Sequence, residues 1–256
     1  MKLAVMQPYF FPYIGYFQAI EAVDKYILYS NLNFSKRGWS NRNRILLKEG
    51  KIMTMTVPLV RQSSNTLFHS IKIDSSSDWQ RVLLKTIFFN YKGSAYFEEV
   101  YPFIELILSE SFEYLYQLNG YLIDRISNYI GIETTIEYEN LDKYSELEEQ
   151  LIEVDKNNYS QFKYMQKTKP EKKIARILEI CKSESANTYV NAIGGQALYS
   201  KEDFSEYGVE LKFIKMEEID YLQFTQNFEP NLSIIDVLMH CGSEGARKLT
   251  QEYSLI

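Results

Sequence analysis

The sequence predicts an α/β fold with a mainly parallel sheet, and three observations support this prediction. A short apolar run at residues 2–6 is typical of a buried strand. Pro8 and Pro12 then exclude a regular helix, so helical periodicity begins only at Ile14. A second strand pattern follows at 25–30. A strand, a rigid loop, a helix and a second strand in this order are typical of a Rossmann-like βαβ unit at the N-terminus.

The remaining elements are predicted from the same periodicities. Further strand patterns occur at 52–57, 68–73, 187–191 and 210–215. Apolar residues three and four apart predict a helical middle region, with helices at 79–91, 96–109 and 113–130. Shorter helices are predicted at 172–182, 200–207 and 233–239. The last of them begins with Ser233 and has Asp236 three residues later, a spacing close to that of a capping box.

The length of 256 residues is enough for one continuous core, so we expect a single domain over 1–256 with a helical subregion at 79–135. Residues 137–173 are expected to form a charged surface excursion or lid. Their acidic run at 146–155 contains few apolar side chains, so it can bury little surface to offset the entropy of ordering.

Composition excludes several classes of function. The net charge of −6 gives no basic footprint for a nucleic-acid partner. Two cysteines, Cys181 and Cys241, cannot build a disulfide framework, and two distant histidines, His69 and His240, do not predict a metal site. No signal peptide and no apolar stretch long enough to span a membrane are found. We therefore expect a cytoplasmic protein without membrane insertion.

A basic segment after the second strand is the first candidate ligand site. Basic, amide and indole side chains interleave there in an acidic chain: Lys36, Arg37, Trp39, Asn41, Arg42, Asn43 and Arg44. Arginine binds phosphate bidentately, and an indole stacks on a base or sugar ring. Because ligands bind at the carboxyl ends of parallel strands, we predict that Arg37 and Arg42 hold an anionic ligand such as a nucleotide. Trp39 would stack on it. The alternative is a solvated loop anchored by this tryptophan.

The loop after the first strand is the second candidate. Its two prolines hold the backbone rigid, as a binding loop requires. Gln7, Pro8 and Tyr9 are therefore predicted to contact the ligand, with Gln7 and Asn41 fixing its orientation by hydrogen bonds. Gly15 at the start of the helix would let a ligand approach the first-turn N–H groups. The alternative is a proline-rich connection with packed aromatic rings.

The tetrapeptide Tyr13-Ile14-Gly15-Tyr16 is similar in spacing to the His-x-Gly-His motif of nucleotidyltransferases and pantothenate-synthetase-like enzymes. In those enzymes the imidazoles stabilise charge on the transferred phosphate. Both histidines are tyrosines here. The similarity therefore implies a nucleotide-binding architecture without nucleotidyl transfer, and an ATP-dependent ligase that needs magnesium is kept as an alternative.

Three weaker features complete the candidates. Asp236 is either a carboxylate that stabilises a helix N-terminus or a general base. His240 is the other weak catalytic candidate, but it cannot pair with Cys241, because adjacent helical side chains point about 100° apart. Gly194 and Gly195, between a strand and a short helix, either admit a phosphate or turn the chain.

Several blocks together resemble the WbqC-like family. They are QPYFFPYIGYFQAI from Gln7, KRGWSNRNRI from Lys36, VPL from Val57, and the pattern FxPxLSIID that ends at Asp236. The resemblance covers nearly the whole chain except 137–173. Where the family often has asparagine, this chain has His240, which argues against a general role for this histidine as a base.

The resemblance implies a setting among enzymes of bacterial surface-polysaccharide biosynthesis, of the O-antigen type. It implies a transferase that acylates or aminoacylates the amine of a nucleotide-linked sugar. The partner would be this small-molecule substrate, with a nucleotide or an acyl donor as co-substrate and no resident cofactor or metal predicted. An alternative from another class is a non-catalytic partner that binds nucleotide sugars.

Overall fold

The computed structural model describes residues 1–36, 38–61, 66–157 and 172–256. Its main sheet contains six strands: β1 (Lys2–Met6), β2 (Lys25–Leu28), β5 (Thr135–Glu137), β6 (Thr188–Ala192), β7 (Glu210–Met216) and β8 (Tyr253–Leu255). Their order is β5-β2-β1-β6-β7-β8, and all neighbours are parallel except β7 and β8. β3 (Arg42–Leu46) and β4 (Ile52–Thr56) form a separate antiparallel hairpin. The predicted α/β fold with a mainly parallel sheet is confirmed.

The helices of the described residues are α1 (Ile14–Glu21), α2 (Trp79–Tyr91), α3 (Phe97–Leu108), α4 (Leu115–Tyr129), α5 (Leu141–Asn157), α6 (Lys172–Ser183), α7 (Lys201–Ser205) and α8 (Ile234–Leu249). The helical middle region is therefore present as α2, α3 and α4. The strand predicted at 68–73 is wrong, because a 3-10 turn (Phe68–Ser70) occupies its first half. Helix α8 is longer than predicted, since the chain resumes helical geometry after a break at Gly242, where φ is 68°.

Helices cover both faces of the main sheet, and successive residues of each strand alternate between two cores. Ala4 and Leu28 face the core made with α1, α8 and the middle helices. Leu3 and Ile27 face the opposite core, which includes Tyr144 of α5 and residues of α6 and α7. Both faces of the central strands are thus buried, as expected of a parallel sheet.

The sheet has a switch point between β1 and β6, since β1 continues to β2 on one side and β6 to β7 on the other. The ladder between β1 and β6 pairs Lys2 with Thr188 and Leu3 with Tyr189, whereas the ladder between β1 and β2 extends to Met6. The two strands therefore separate towards their carboxyl ends, at the edge where open α/β sheets bind ligands.

The charged segment 137–173 is described for 137–157 and 172–173. In this segment Tyr144 and Leu151 of α5 are buried, and Tyr144 belongs to the core on this face of the sheet. Glu148 accepts a hydrogen bond of 2.5 Å from the Tyr29 hydroxyl and a second from Arg176 Nη2 of 2.8 Å. The first part of the segment is thus fastened to the body. The surface excursion expected for the remainder concerns 158–171, which lie outside the described residues.

Candidate functional site

The loop between β1 and α1 is fixed by side chains and a helix end that bind its backbone carbonyls. The Tyr16 hydroxyl donates to the Gln7 carbonyl at 2.9 Å, and Asn119 Nδ2 donates to Pro8 at 3.0 Å. Further on, the carbonyls of Phe10, Phe11 and Pro12 accept from Asn43, Ser233 and the N–H of Ile234. The donors come from α1, α4, β3 and the start of α8. The loop is therefore held in one conformation from several directions.

Phe11 within this loop has a φ of 41° and is fully buried. A left-handed conformation at a residue other than glycine costs on the order of 1–3 kcal/mol and persists only where the surroundings enforce it. Asn43 Nδ2 donates to the Phe10 carbonyl at 3.1 Å and to that of Phe11 at 2.7 Å. Such enforced strain is concentrated at binding sites in proteins, so this loop is a candidate for a preformed binding surface.

A cavity of about 460 Å³ opens beside this loop and is called the first cavity. Aromatic and polar side chains predominate among its lining residues, which are Tyr9, Pro12, Tyr13, Trp39, Asn43, Arg44, Met216 and Asn231. The Trp39 side chain is 43% exposed, so its ring is available to a ligand. Burial raises the pKa of Tyr9 and of Tyr13, which keeps both hydroxyls neutral near pH 7.

Arg44 is the cationic residue of the first cavity. Its guanidinium carbon lies 5.6 Å from the centroid of the Trp39 ring, within the range of a cation–π interaction. Nη2 reaches the Asn231 carbonyl at 3.4 Å, and Nη1 lies 3.8 Å from Glu229. Among the described residues, the buried Nε has no hydrogen-bond partner. The positive charge is thus only loosely compensated and faces a cavity with aromatic walls.

A second cavity of about 450 Å³ adjoins the first, because Met216 and Asn231 line both. Its floor is apolar, with Ile14 and Val237 among its residues, and its rim comes from the segment after β7. Asn231 has a φ of 57°. Two of the three non-glycine residues with positive φ in the described chain, Phe11 and Asn231, thus belong to the loop and cavities described here.

The predicted polar ligand contacts are largely engaged within the protein. Gln7 Nε2 donates to the Asn33 carbonyl at 3.3 Å, which ties the loops after β1 and β2. Asn41 Nδ2 donates to Val57 at 3.1 Å. Arg42 donates through Nε to the Gly38 carbonyl at 3.2 Å and through Nη2 to that of Lys36 at 3.3 Å. Their role in ligand binding stays a prediction, as does that of Arg37, which lies outside the described residues.

Arg44 was not predicted as a ligand contact, although the sequence contains a signal for it. Residues 42–46 form β3, in which Asn43 is buried while Arg42 and Arg44 are partly exposed on the other side. In a strand, neighbouring side chains point to opposite faces, so a strand prediction would have placed Asn43 inwards and Arg42 and Arg44 outwards. The polar composition of this segment favoured a loop, so the strand and its alternation were missed.

Gly15 packs against Met216 rather than opening onto free space. A methyl group at Gly15 would overlap the Met216 sulfur and lie 3.0 Å from its Cε. Of the two tyrosines flanking this motif, Tyr13 lines the first cavity and Tyr16 is buried with its hydroxyl on the Gln7 carbonyl. Burial raises the pKa of Tyr16 well above its usual range. The second position of the motif is therefore occupied by a neutral structural donor.

Asp236 is fully buried in the first turn of α8. Its carboxylate accepts hydrogen bonds from the Tyr91 hydroxyl at 2.7 Å, the Tyr221 hydroxyl at 2.8 Å and Gln223 Nε2 at 3.0 Å. These donors and the helix N-terminus stabilise the negative charge. Because Tyr221 and Gln223 belong to the segment after β7, Asp236 anchors the wall of the second cavity. A catalytic role for it stays a prediction.

His240 lies one turn after Asp236 and outside both cavities. Burial lowers the pKa of His240, and its ring packs at 4.6 Å from the centroid of the Phe224 ring. Its buried Nε2 has no hydrogen-bond partner among the described residues. Burial also raises the pKa of the neighbouring Cys241 to about 11, so this thiol carries almost no thiolate at neutral pH.

Gly194 and Gly195 form part of the 3-10 turn Ile193–Ala197 that follows β6. Gly194 is exposed, and a side chain there would meet nothing within 4 Å. Gly195 is buried under the Asn191 side chain. Both lie outside the two cavities, at the opening between β1 and β6, so a phosphate contact by them stays a prediction.

A family model described as the WbqC-like protein family matches residues 7–248. The chain is also 28% identical over 250 residues to Rv1507c, an uncharacterized protein of Mycobacterium tuberculosis (strain ATCC 25618 / H37Rv), and the alignment covers 95% of each chain. No solved structure matches the chain. In the parts of the chain that the structure describes, no helix has the length and apolarity needed to cross a membrane.

Proposed function

The chain belongs to the WbqC-like protein family, and we propose that it is a transferase of surface-polysaccharide biosynthesis that acts on a nucleotide-linked amino sugar. The observation that carries this proposal is the position of Arg44 beside Trp39 in the first cavity, which Tyr9 and Tyr13 also line. The family resemblance supplies the biosynthetic setting, and the cavity supplies the chemistry of the ligand.

A nucleotide combines a planar base with a diphosphate, and the first cavity offers a partner for each part. A guanidinium binds phosphate oxygens through charge-assisted hydrogen bonds, and the terminal nitrogens of Arg44 are only loosely held, at 3.4 Å from the Asn231 carbonyl and 3.8 Å from Glu229. The rings of Trp39 and Tyr9 offer faces for stacking on a base. The cavity volume of about 460 Å³ lies within the usual range for small-molecule sites.

The sugar would extend from the diphosphate into the second cavity, with its amine as the acceptor of the transferred group. The donor would be an activated acyl or aminoacyl compound. In the transfer, the amine nitrogen forms a bond to the acyl carbon, the bond from this carbon to the donor breaks with its electron pair going to the donor's leaving group, and this leaving group takes up the proton lost by the amine. The rigid loop and Arg44 would contribute by holding the acceptor in a fixed orientation.

A non-catalytic protein that binds nucleotide sugars is the second candidate, and a specific observation favours it. Asn41, Arg42 and Asn43 donate to backbone carbonyls of their own surroundings. Among the described residues lining the two cavities, there is no cysteine or serine nucleophile and no histidine, and the first cavity contains no carboxylate that could act as a base. The ligand contacts of the first cavity are equally suited to binding without turnover.

The ligase alternative has less support. A phosphate-transfer site of the His-x-Gly-His type needs two groups that stabilise negative charge next to the helix start. Here the Tyr16 hydroxyl is used on the Gln7 carbonyl, and Gly15 is covered by Met216. Neither is positioned to contact a phosphate in this arrangement.

The test is a binding screen followed by an assay of transfer. The melting temperature of the protein is measured with UDP, dTDP, GDP, CDP, ADP and sugar conjugates of the first three, and hits are titrated by calorimetry. A ligand at about 100 times its Kd stabilises the protein by roughly 2.7 kcal/mol. Binding that requires Arg44 and acylation of an amino-sugar conjugate, detected by mass spectrometry, would support the transferase. Binding without transfer would favour the second candidate, and no binding to any nucleotide would refute both.

A further inference from the structure

Met216, the last residue of β7, lines both the first and the second cavity, as does Asn231. The Met216 sulfur and Cε pack on Gly15 at the start of α1. This packing exists because Gly15 has no side chain to occupy the same space. Methionine has three flexible torsions and a thioether that adapts to its neighbours, so its side chain can move without loss of the surrounding fold.

We infer that the two cavities are compartments of one elongated groove and that Met216 divides them, so that it determines whether a substrate extends beyond its nucleotide. This inference rests on the proposed function. The nucleoside diphosphate occupies the first compartment, and the sugar passes Met216 into the second. The first compartment has a volume of about 460 Å³ and the second about 450 Å³, so each can hold one part of a substrate that consists of two linked parts.

Charge gives the groove a direction. The first compartment contains Arg44, whereas Glu217, Glu218 and Asp220 line the second, where no lysine or arginine stands among the described lining residues. A diphosphate placed in the second compartment would meet like charges without a compensating cation. The anionic end of the substrate therefore lies with Arg44, and the end that passes Met216 is neutral or cationic. An amino sugar meets this requirement.

The floor of the second compartment is apolar. Ile14, Leu232 and Val237 provide surface for the less polar face of a sugar ring, while carboxylates stand at the rim. Tyr221 also belongs to this wall and is held in place by its hydrogen bond of 2.8 Å to Asp236. The second compartment is thus a fixed pocket, and Met216 is the mobile boundary at its entrance.

The experiment compares a nucleoside diphosphate with its sugar conjugate in Met216 variants. UDP, UDP-glucosamine and UDP-N-acetylglucosamine, or the corresponding thymidine or guanosine compounds if these bind better, are titrated by calorimetry. Met216→Phe fills the passage with a rigid ring. We expect it to weaken the sugar conjugates about tenfold or more relative to the free diphosphate. Met216→Leu keeps a flexible side chain of similar size and should retain the wild-type preference.

Two further variants keep the test decisive. Met53→Phe changes another half-buried methionine, which lines a different cavity beside α2, and should leave both affinities unchanged. Met216→Ile places a β-branched, stiffer side chain at the passage without adding volume and should reproduce the selective loss if Met216→Phe is poorly folded. Equal weakening of diphosphate and conjugate, or no effect of either substitution on a folded protein, would overturn the inference. Absence of any nucleotide binding in the wild type would instead refute the proposed function.

Discussion

The two faces of the main sheet use buried polar side chains in different ways. On the face covered by α5 and α6, partly buried carboxylates have cationic partners: Glu148 pairs with Arg176, and Glu184 pairs with Lys25 and Lys143. On the other face, beside the first cavity, the amides of Asn43 and Asn119 bind loop carbonyls. There the charge of Arg44 is left loosely matched.

The two faces of the sheet therefore differ in role: the side chains of one hold helices to the sheet, and those of the other can bind a ligand. Ion pairs whose two charges neutralise each other hold helices to the sheet, and they have little remaining capacity to bind a charged ligand. Amides that satisfy backbone carbonyls fix a strained loop while leaving its side chains exposed to the cavity. A charged ligand is therefore expected on the face of Arg44, where a cationic side chain is not neutralised by a close ion pair.

Asn43→Ala should have the largest effect on stability. The substitution leaves the Phe10 carbonyl without its donor and the Phe11 carbonyl with Ser233 alone, and it removes the Asn43 Oδ1 acceptor of the Arg44 N–H. Each unsatisfied buried group costs about 1–3 kcal/mol, so we expect a loss of roughly 3–4 kcal/mol in the free energy of unfolding. Urea denaturation measures this. Asn90→Ala, which removes a hydrogen bond to the Thr86 carbonyl on α2, is the control and should lose about 0.5 kcal/mol. Equal losses would contradict a special role for the loop.

Glu184→Gln tests the closed ion pairs of the other face. Burial opposes the charged form of Glu184, but hydrogen bonds from Lys143, Lys25 and Tyr144 outweigh it and lower the pKa to about 2. A lowered pKa contributes stability that is present above the ordinary value near 4.5 and is lost as the pH falls towards 2. We expect the variant to lose roughly 2–3 kcal/mol at pH 7 and to be less sensitive to acid than the wild type between pH 4.5 and 2.

The measurement for Glu184 is the melting temperature as a function of pH. Glu179→Gln on α6, five residues before Glu184, is a suitable control, because Glu179 is paired across 3.8 Å with an exposed lysine. Its pH profile should follow the wild type. Parallel profiles for wild type and Glu184→Gln would show that the pairs on this face contribute little.

Arg44→Ala should leave the fold intact and remove ligand binding. The loss of a charge-assisted contact to phosphate is worth about 1.5 kcal/mol or more, which corresponds to at least tenfold in Kd. Arg42→Ala should weaken binding less, because its guanidinium holds the Gly38 and Lys36 carbonyls. Arg81→Ala, at an exposed pair on α2, serves as the matched arginine control. The ranking of the three affinities by calorimetry decides the assignment, and a larger loss for Arg42 would reverse it.

How much of this was predictable from sequence depends on the range of the interactions. The βαβ start and the helical middle have local periodicity that reports them directly. β3 was missed because alternate arginines and asparagines hide a strand whose inward position is polar, at Asn43. The contact between Gly15 and Met216 joins residues two hundred positions apart, so no local pattern could indicate it.

The candidate site divides in the same way. Tyr9, Trp39 and the rigidity of the proline loop were predicted from residue chemistry, and both aromatic residues line the first cavity. Arg42 and Arg44 have the same chemistry, and only the fold distinguishes the one that binds backbone carbonyls from the one that faces the cavity. Residue type predicts what a side chain can bind, whereas topology determines which partner reaches it.

The smallest expected effect concerns Tyr16→Phe, which removes a single hydroxyl from the loop clamp. The Gln7 carbonyl loses one donor at 2.9 Å, and because this position is partly buried we expect a loss of about 1 kcal/mol in stability. Ligand affinity should change little, because the neighbouring carbonyls keep their own donors.

If instead the Tyr13–Tyr16 motif performs phosphate transfer, the wild type should release pyrophosphate from ATP or CTP with magnesium and an amino acid or sugar phosphate, and Tyr16→Phe should abolish this release. We expect no pyrophosphate from either protein, because a buried phenol with a raised pKa cannot supply the positive charge that such a transition state requires. Tyr13→Phe, at a position that lines the first cavity, should by contrast alter ligand binding while leaving stability close to that of the wild type. If Tyr13→Phe lowered stability and Tyr16→Phe altered ligand binding, Tyr13 would be the residue that holds the loop and Tyr16 the one that contacts the ligand.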